Sequence, residues 1–328
     1  MLHLRARFLE KMILETMKWA PSISLLGMRQ SGKTTLIKRI SESYFSFDQE
    51  EFLTAADTGN WAFLEDARRP TALDEVQKAP KTFPKIKTLI DQRRRPGEFI
   101  LTGSVRFLSR RAIRESLTGR TAILELLPLT VAETHNRLQR DSISAFLKAH
   151  SLEHFLKLHP TWTSLGNLDQ HMTKGGMPGI CFNRSETIRN QYLSNHLDTV
   201  LSRDLQLIYT SRISISRLRS LYSHIASIQG EKIVISSLSR VLGASDKTTL
   251  QILNAFEALF LIRRHGKTLY CEDMGLAHYA STGHYATPIT AYRRWVFGEL
   301  LAQGMCHHLA SYKLNEWNTR GGAQIPFV

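Results

Sequence analysis

An α/β fold on a parallel sheet, followed by a mostly helical second half, is the class predicted for this 328-residue chain, and three observations predict it. A short β-prone run, Ile23 to Leu26, leads into a glycine-rich loop and then into apolar residues at helical spacing. Two more short apolar runs, ending at Asp74 and at Thr102, stop in polar residues, as buried parallel strands do where they meet a ligand. From Val131 onward the apolar residues recur mainly at helical spacing.

Residues 1 to 20 read as an amphipathic helix. The strand Ile23–Leu26 is followed by Gly27, Gly32, Lys33 and Thr34 in the pattern G-x-x-x-x-G-K-[ST], and Thr35 to Ile40 continues as helix. This strand, loop and helix order turns backbone N–H groups towards a phosphate at the positive end of a helix. Gly27 and Gly32 stand where a Cβ would obstruct the turn, while Gln30, Ser31 and Thr35 contribute loop and first-turn backbone. Lys33 supplies a cation for the β- and γ-phosphates, and the Thr34 hydroxyl suits Mg²⁺. Lys33 is expected to face solvent when no nucleotide is bound.

Tyr44 to Phe47, with Asp48, reads as the next strand. Thr71 to Leu73 is a thin apolar run before Asp74 and Glu75, some forty residues after Lys33. Asp74 would hold Mg²⁺ through water and Glu75 would polarise the attacking water; an exposed acidic pair at a turn is the plainer reading. Phe99 to Leu101 precedes Thr102, Gly103 and Ser104, placing hydroxyls at a strand's carboxyl end. Thr102 or Ser104 then senses the γ-phosphate or positions water, and Ser104 also suits helix capping. Arg106, Arg110, Arg111 and Arg114 make the following helix basic, most simply a solvated face. Thr121 to Leu127 reads as a further buried strand. Arg120, at its entrance, is the arginine singled out for a γ-phosphate, in its own subunit or a neighbour's. Together these elements support a P-loop NTPase of the ATPase type over residues 1–130; transfer to a small acceptor competes, but Glu75 beside Asp74 favours activating water.

Residues 131–210 read as a helical connecting region broken by the turn residues Gly175, Gly176, Pro178 and Gly179. His135, His150, His154 and His159 lack partners at a convincing metal-ligand spacing and are expected to be structural or solvent-facing. Arg203 and Asp204 are expected to cap or pair between helices. Residues 211–275 read as a winged helix-turn-helix: a helix within 214–230, a second at Ile235–Gly243, a third entered through Ser245 or Asp246, and two strands around His265 and Gly266. Arg240, Lys247, Arg263, Arg264 and Lys267 are its candidate phosphate contacts, although the third helix is mostly packing surface.

Charge and composition set bounds. The net charge of +14 is spread as 22 basic and 15 acidic residues up to Thr130, 8 and 7 to Thr210, and 13 and 7 beyond. This permits a nucleic-acid partner without favouring one. Only three cysteines, far apart, and modest Gly and Pro contents exclude disulfide-scaffold, disordered and collagen-like classes. No apolar run is long enough to span a bilayer, and the start alternates charge with apolar residues, so a cytoplasmic protein without membrane attachment is expected.

The segments GMRQSGKTTL, LDEVQKAP, FILTGS, LTGR, ELLPLT, KGGMP, YLSNHLDTVLSRDL and YCEDMGLA run in an order that resembles prokaryotic AAA-like ATPases carrying a carboxyl-terminal DUF4143 domain. The resemblance implies an ATP-binding, ATP-hydrolysing core, a winged-helix segment and a last domain of restriction-endonuclease-like fold. It also implies phosphate and Mg²⁺ contacts at Lys33 and Thr34, an acidic pair at Asp74 and Glu75, and an arginine-aspartate step at Arg203 and Asp204. The terminal part, 276–328, departs from that pattern: Glu299 occupies the acidic helix position, but Gln324 and Pro326 stand where the next acids belong and only Glu316 lies nearby. A truncated or degenerate domain without nuclease activity is therefore expected. The leading expectation is an ATPase using ATP and Mg²⁺ whose nucleotide state drives a partner-binding change. A non-hydrolysing nucleotide-binding regulator and a DNA-binding regulator are the alternatives. Self-association and a protein partner complete the expectations.

Overall fold

A computed structural model of the protein describes residues 4–106, 115, 117–138, 143, 148–151, 153, 154, 157, 165–283, 288–306, 317, 318, 324 and 325. The chain divides into two compact units, residues 9–126 and residues 1–8 with 127–328. The first eight residues thus group with the later part of the chain, as do all three segments expected after residue 130.

The first unit is a five-stranded parallel sheet with helices. It contains α1 (Phe8–Thr16), β1 (Ser22–Leu26), α2 (Lys33–Ile40), β2 (Ser43–Ser46), α3 (Glu50–Thr58), α4 (Ala62–Glu65), β3 (Thr71–Asp74), α5 (Thr82–Arg93), β4 (Phe99–Gly103) and β5 (Thr121–Glu125). The strand order is β2-β3-β4-β1-β5. After β1 the chain crosses to the far edge for β2, returns through β3 and β4, and finishes at the opposite edge with β5. The carboxyl ends of β1, β3 and β4 therefore share one rim, where an open parallel sheet binds its ligand.

Local chemistry explains the layout. β1, β3 and β4 are buried along their whole length, which is why they read as short unbroken runs. The hydroxyls that interrupt β1 are satisfied by its edge neighbour: Ser22 donates to the Arg120 carbonyl at 2.9 Å, and Ser24 and Thr121 share a hydrogen bond of 3.0 Å. α1 buries Leu9, Met12, Ile13 and Thr16, the stripe expected of an amphipathic helix. Phe45, Phe52 and Phe63 meet at centroid distances of 5.0–5.2 Å and fasten α3 and α4 to β2. The expectation of a buried strand from Thr121 to Leu127 is corrected: β5 stops at Glu125 and lies at the sheet edge, where Ile123 is 57% exposed.

The second unit is mainly helical. α6 (Val131–Thr134), α7 (Leu165–Lys174), α8 (Pro178–Cys181) and α9 (Glu186–Thr199) lead through a π-helical stretch, Val200–Asp204, to α10 (Ile215–Ile228), α11 (Ile235–Leu242) and α12 (Asp246–Ala258). An antiparallel hairpin of β6 (Ile262–His265) and β7 (Thr268–Cys271) follows, then α13 (Met274–Ala280), α14 (Pro288–Gly304) and a two-residue strand pair, β8 (Trp317–Asn318) with β9 (Gln324–Ile325). Three helices and a hairpin thus occupy 215–271, with Ser245 capping α12 by accepting the Thr248 N–H. Among the described residues the last segment holds one long helix and this short pair, not a restriction-endonuclease-like sheet.

Two buried polar nodes organise this unit. At α6, Thr130 and Glu133 form a reciprocal capping box; Glu133 also accepts the Phe8 N–H at 2.8 Å and pairs with buried Arg7 at 3.1 Å, while Arg7 donates to the Leu127 carbonyl. At the K-G-G-M-P turn, Asp273 accepts from the backbone N–H groups of Gly176 and Leu276, both at 2.8 Å. Gly176 packs against the Leu129 backbone so closely that a Cβ there would overlap it. Three of the quoted sequence segments, ELLPLT, KGGMP and YCEDMGLA, thus meet as a structural joint.

Candidate functional site

The turn from β1 to α2 is made by Gly27–Gly32. A Cβ on Gly27 would overlap the carbonyl oxygen of Leu126, whose N–H extends the sheet by donating to Leu26. Gln30 (φ 65°) and Gly32 (φ 97°) both adopt left-handed backbone, the alternation that shapes an anion-binding concavity ahead of a helix. Ser31 is buried in the turn, whereas Gln30 and Thr35 are exposed. Lys33 is not solvent-facing as expected. It is 4% exposed and its ammonium donates to the carbonyls of Gly27 and Met28, both at 2.9 Å. Burial pulls its pKa down to about 8, against the raising influence of Glu75 and Asp74. The loop is folded around its own cation, whose acceptors are two of the loop's carbonyls.

Across the rim stands Asp74, the last residue of β3 and 3% exposed. Its Oδ2 accepts from the Thr34 hydroxyl at 2.7 Å and from the Tyr44 hydroxyl at 2.8 Å; its Oδ1 accepts from the Thr102 hydroxyl. The four residues come from β3, α2, β2 and β4, so the sheet order itself assembles them. Glu75 follows in left-handed backbone (φ 55°), which turns its side chain off the strand. Its N–H donates to Thr102 Oγ1 at 3.3 Å, and its Oε2 accepts from the Ser104 hydroxyl at 3.1 Å and from the Gln77 amide. Gly27, Gly32, Lys33, Thr34, Asp74, Glu75 and Thr102 are thereby brought together, with Gln30 and Ser31 on the same loop and Thr35 in the first turn of α2.

Arg120 is not. Its backbone carbonyl pairs with the N–H of Ser22 at the amino ends of β1 and β5, whereas the loop lies at their carboxyl ends, one five-residue strand or roughly 16 Å away. Its guanidinium is engaged by Asp91 at 2.7 and 2.9 Å. The expectation that it reaches a γ-phosphate within its own subunit is therefore corrected.

In the second unit, Glu299 accepts the Val131 N–H at the start of α6 at 2.7 Å, a capping contact rather than a metal position. Burial raises its pKa to about 7. Glu316 and Pro326 lie outside the described residues, as do Arg110, Arg111, Arg114 and His159; Gln324 sits in the two-residue β9. Arg203 pairs with adjacent Asp204 at 3.0 Å. Of the basic residues proposed for phosphate contact, Arg263 is held by Glu272 at 2.7 Å and Arg264 by Glu257 and Asn254; Lys247, Arg240 and Lys267 are exposed. The three cysteines are free, no group of three or more His, Cys, Asp or Glu among the described residues is arranged to hold a metal, and no described helix is long and apolar enough to cross a membrane.

Sequence reasoning missed Tyr44 and Gln77. Tyr44 reads as a strand residue, and only the adjacency of β2 and β3, invisible in a linear pattern, aims its hydroxyl at Asp74. Gln77 lies two residues beyond Glu75, a spacing that offers no periodic signal.

Residues 20–135 match the family described as AAA domain, and residues 165–270 match a domain of unknown function, DUF8612, which replaces the expected DUF4143 resemblance. Uncharacterized proteins of Mycobacterium bovis and Mycobacterium tuberculosis are each 25% identical over 275 residues, which is 79% of this chain and 56% of theirs. The chain thus spans little more than half the length of these relatives. The Walker-type ATPase of Pyrococcus abyssi shares the fold with a TM-score of 0.53 at 14% identity, over 84% of this chain and 96% of its own. Residues 20–135 are thus similar to the AAA domain family and share a P-loop NTPase-like parallel α/β sheet, and helical elements follow it.

Proposed function

We propose that the chain binds ATP at the Gly27–Thr35 loop and hydrolyses it with Mg²⁺, using Asp74 to orient the cation and Glu75 to activate water. The observation that carries this reading is the 2.7 Å hydrogen bond joining Thr34 to Asp74 across forty residues of sequence. A hydroxyl and a carboxylate are hard oxygen donors, the chemistry that suits Mg²⁺. When bound, Mg²⁺ would supply positive charge to the phosphate oxygens. The chain's residues divide the remaining tasks. Lys33 exchanges its two carbonyl acceptors for phosphate oxygens, and Asp74 keeps Thr34 aligned. Glu75 leaves Ser104 and Gln77 to accept a proton from water, with Thr102 fixing the turn beneath it.

Glu75→Gln tests this directly. Its Oε1 still accepts from Ser104 and Gln77 but the base is removed, so ATP affinity stays within about twofold of wild type while phosphate release falls about 100-fold or more. Unchanged phosphate release would remove Glu75 from the mechanism and favour a non-hydrolysing nucleotide-binding regulator. A partner-binding change driven by nucleotide state is part of the proposal. A DNA-binding role for α10–α12 and the hairpin is the weaker reading, because Arg263 and Arg264 are already engaged by acidic or amide partners.

A further inference from the structure

We infer that Tyr44 is a positioning residue of the nucleotide site: its hydroxyl fixes the Asp74 carboxylate and thereby sets how strongly the site couples ATP to a divalent cation. The inference rests on the proposed Mg²⁺-dependent reading and extends it to a residue on a different strand.

Three neutral donors converge on Asp74. Thr34 approaches from the first turn of α2, Thr102 from β4 on one side, and Tyr44 from β2 on the other, at 2.8 Å. With two donors on Oδ2 and one on Oδ1, the carboxylate has no freedom to rotate about its terminal torsion without breaking a bond. All three are hydroxyls. An arginine or lysine in the place of Tyr44 would also hold the carboxylate, but would cancel the negative charge a cation needs; a hydroxyl holds it and leaves the charge in place.

Packing alone does not call for the hydroxyl. The Tyr44 ring lies beneath the Lys38 ammonium, 4.3 Å from the ring centroid, a contact that phenylalanine would also make. The ring spans two residues along β3, from the register partner Ala72 to Asp74, a reach that serine or threonine at this position would not have.

The experiment compares wild type with Tyr44→Phe by calorimetry of ATP binding, once in EDTA and once in saturating Mg²⁺, alongside thermal unfolding of the nucleotide-free protein. The expected result is unchanged affinity in EDTA and a tightening by Mg²⁺ that is about tenfold smaller in the variant, or about 1.4 kcal/mol of lost coupling. The Mg²⁺ concentration giving half-maximal phosphate release rises in parallel, and excess Mg²⁺ recovers most of the maximal rate. A variant that unfolds at lower temperature but keeps the wild-type Mg²⁺ coupling would overturn the inference, since that is the outcome of a purely structural hydroxyl. Should wild type bind ATP equally with and without Mg²⁺, the inference fails while nucleotide binding stands. Should wild type bind no ATP in either condition, both fail.

Discussion

Lys33 carries a tension between stability and function that is visible in its environment. A nearly fully buried ammonium with its pKa pulled down to about 8 is worse off in the folded chain than in water, despite two carbonyl acceptors. Lys33→Met keeps much of the volume of the side chain and removes that charge. The nucleotide-free variant is expected to unfold at a temperature equal to or a few degrees above wild type at pH 7, while its ATP affinity falls by roughly 100-fold or more. Scanning calorimetry and ATP titration check the two halves separately. The sign follows from linkage: a cation whose folded pKa is depressed lets stability rise as pH climbs from about 8 towards its unfolded value of about 10.5, and the variant loses that rise.

At the scale of elements, β4 links the two acidic residues. Thr102 donates to Asp74 and accepts from the Glu75 N–H, so Thr102→Val removes a donor and an acceptor from a buried cluster while keeping β-branching and volume. The variant is expected to lose about 2 kcal/mol of stability by urea denaturation and at least tenfold in phosphate release, since both acids lose a fixed partner. This cluster also shows where the sequence was informative. The loop and its flanking strand and helix were legible because their spacing is rigid, and β3 and β4 because buried parallel strands are short apolar runs. The order of the strands was not legible, since crossovers leave no periodic trace. That one gap accounts both for the unforeseen Tyr44, brought beside Asp74 by the adjacency of β2 and β3, and for Arg120, which fell at the wrong end of β5. The contact made by Glu299 was illegible for a different reason. An acid at helical spacing reads the same whether it binds a metal or caps a neighbouring helix, and only the fold showed the Val131 N–H in front of it.

For the whole molecule, pH acts through opposing buried groups in the second unit. Glu299 and His171 line one cavity of about 30 Å³, with Asp273, Glu272 and Arg294 also facing it and Glu133 close by. Burial raises Glu299 to about 7 and, helped by Arg294, lowers His171 to about 4. Glu299 therefore contributes stability that is full below its unfolded value of about 4.5 and is lost as pH rises through about 7; Asp273, also raised by burial, shares that direction. His171 does the reverse: its contribution is full above about 6.5 and is lost as pH falls through about 4, and His135 and His278 share its direction. The two slopes largely cancel between about pH 4.5 and 6.5. Glu299→Gln, which keeps an acceptor for Val131, is expected to unmask a stability that rises with pH over that window, and His171→Asn one that falls. Denaturation series at half-unit pH steps would show the opposite slopes, and parallel curves for both variants would refute the assignment. Because Arg7 is bound by Glu133 and Leu127, the segment just ahead of the 9–126 unit takes up its native partners only after the whole of that unit has been made. The nucleotide unit can therefore fold on the ribosome as an uninterrupted stretch, while the second unit waits for Leu127 and Glu133 before it can bury Arg7. Translation that pauses near residue 126 would favour the first event without permitting the second.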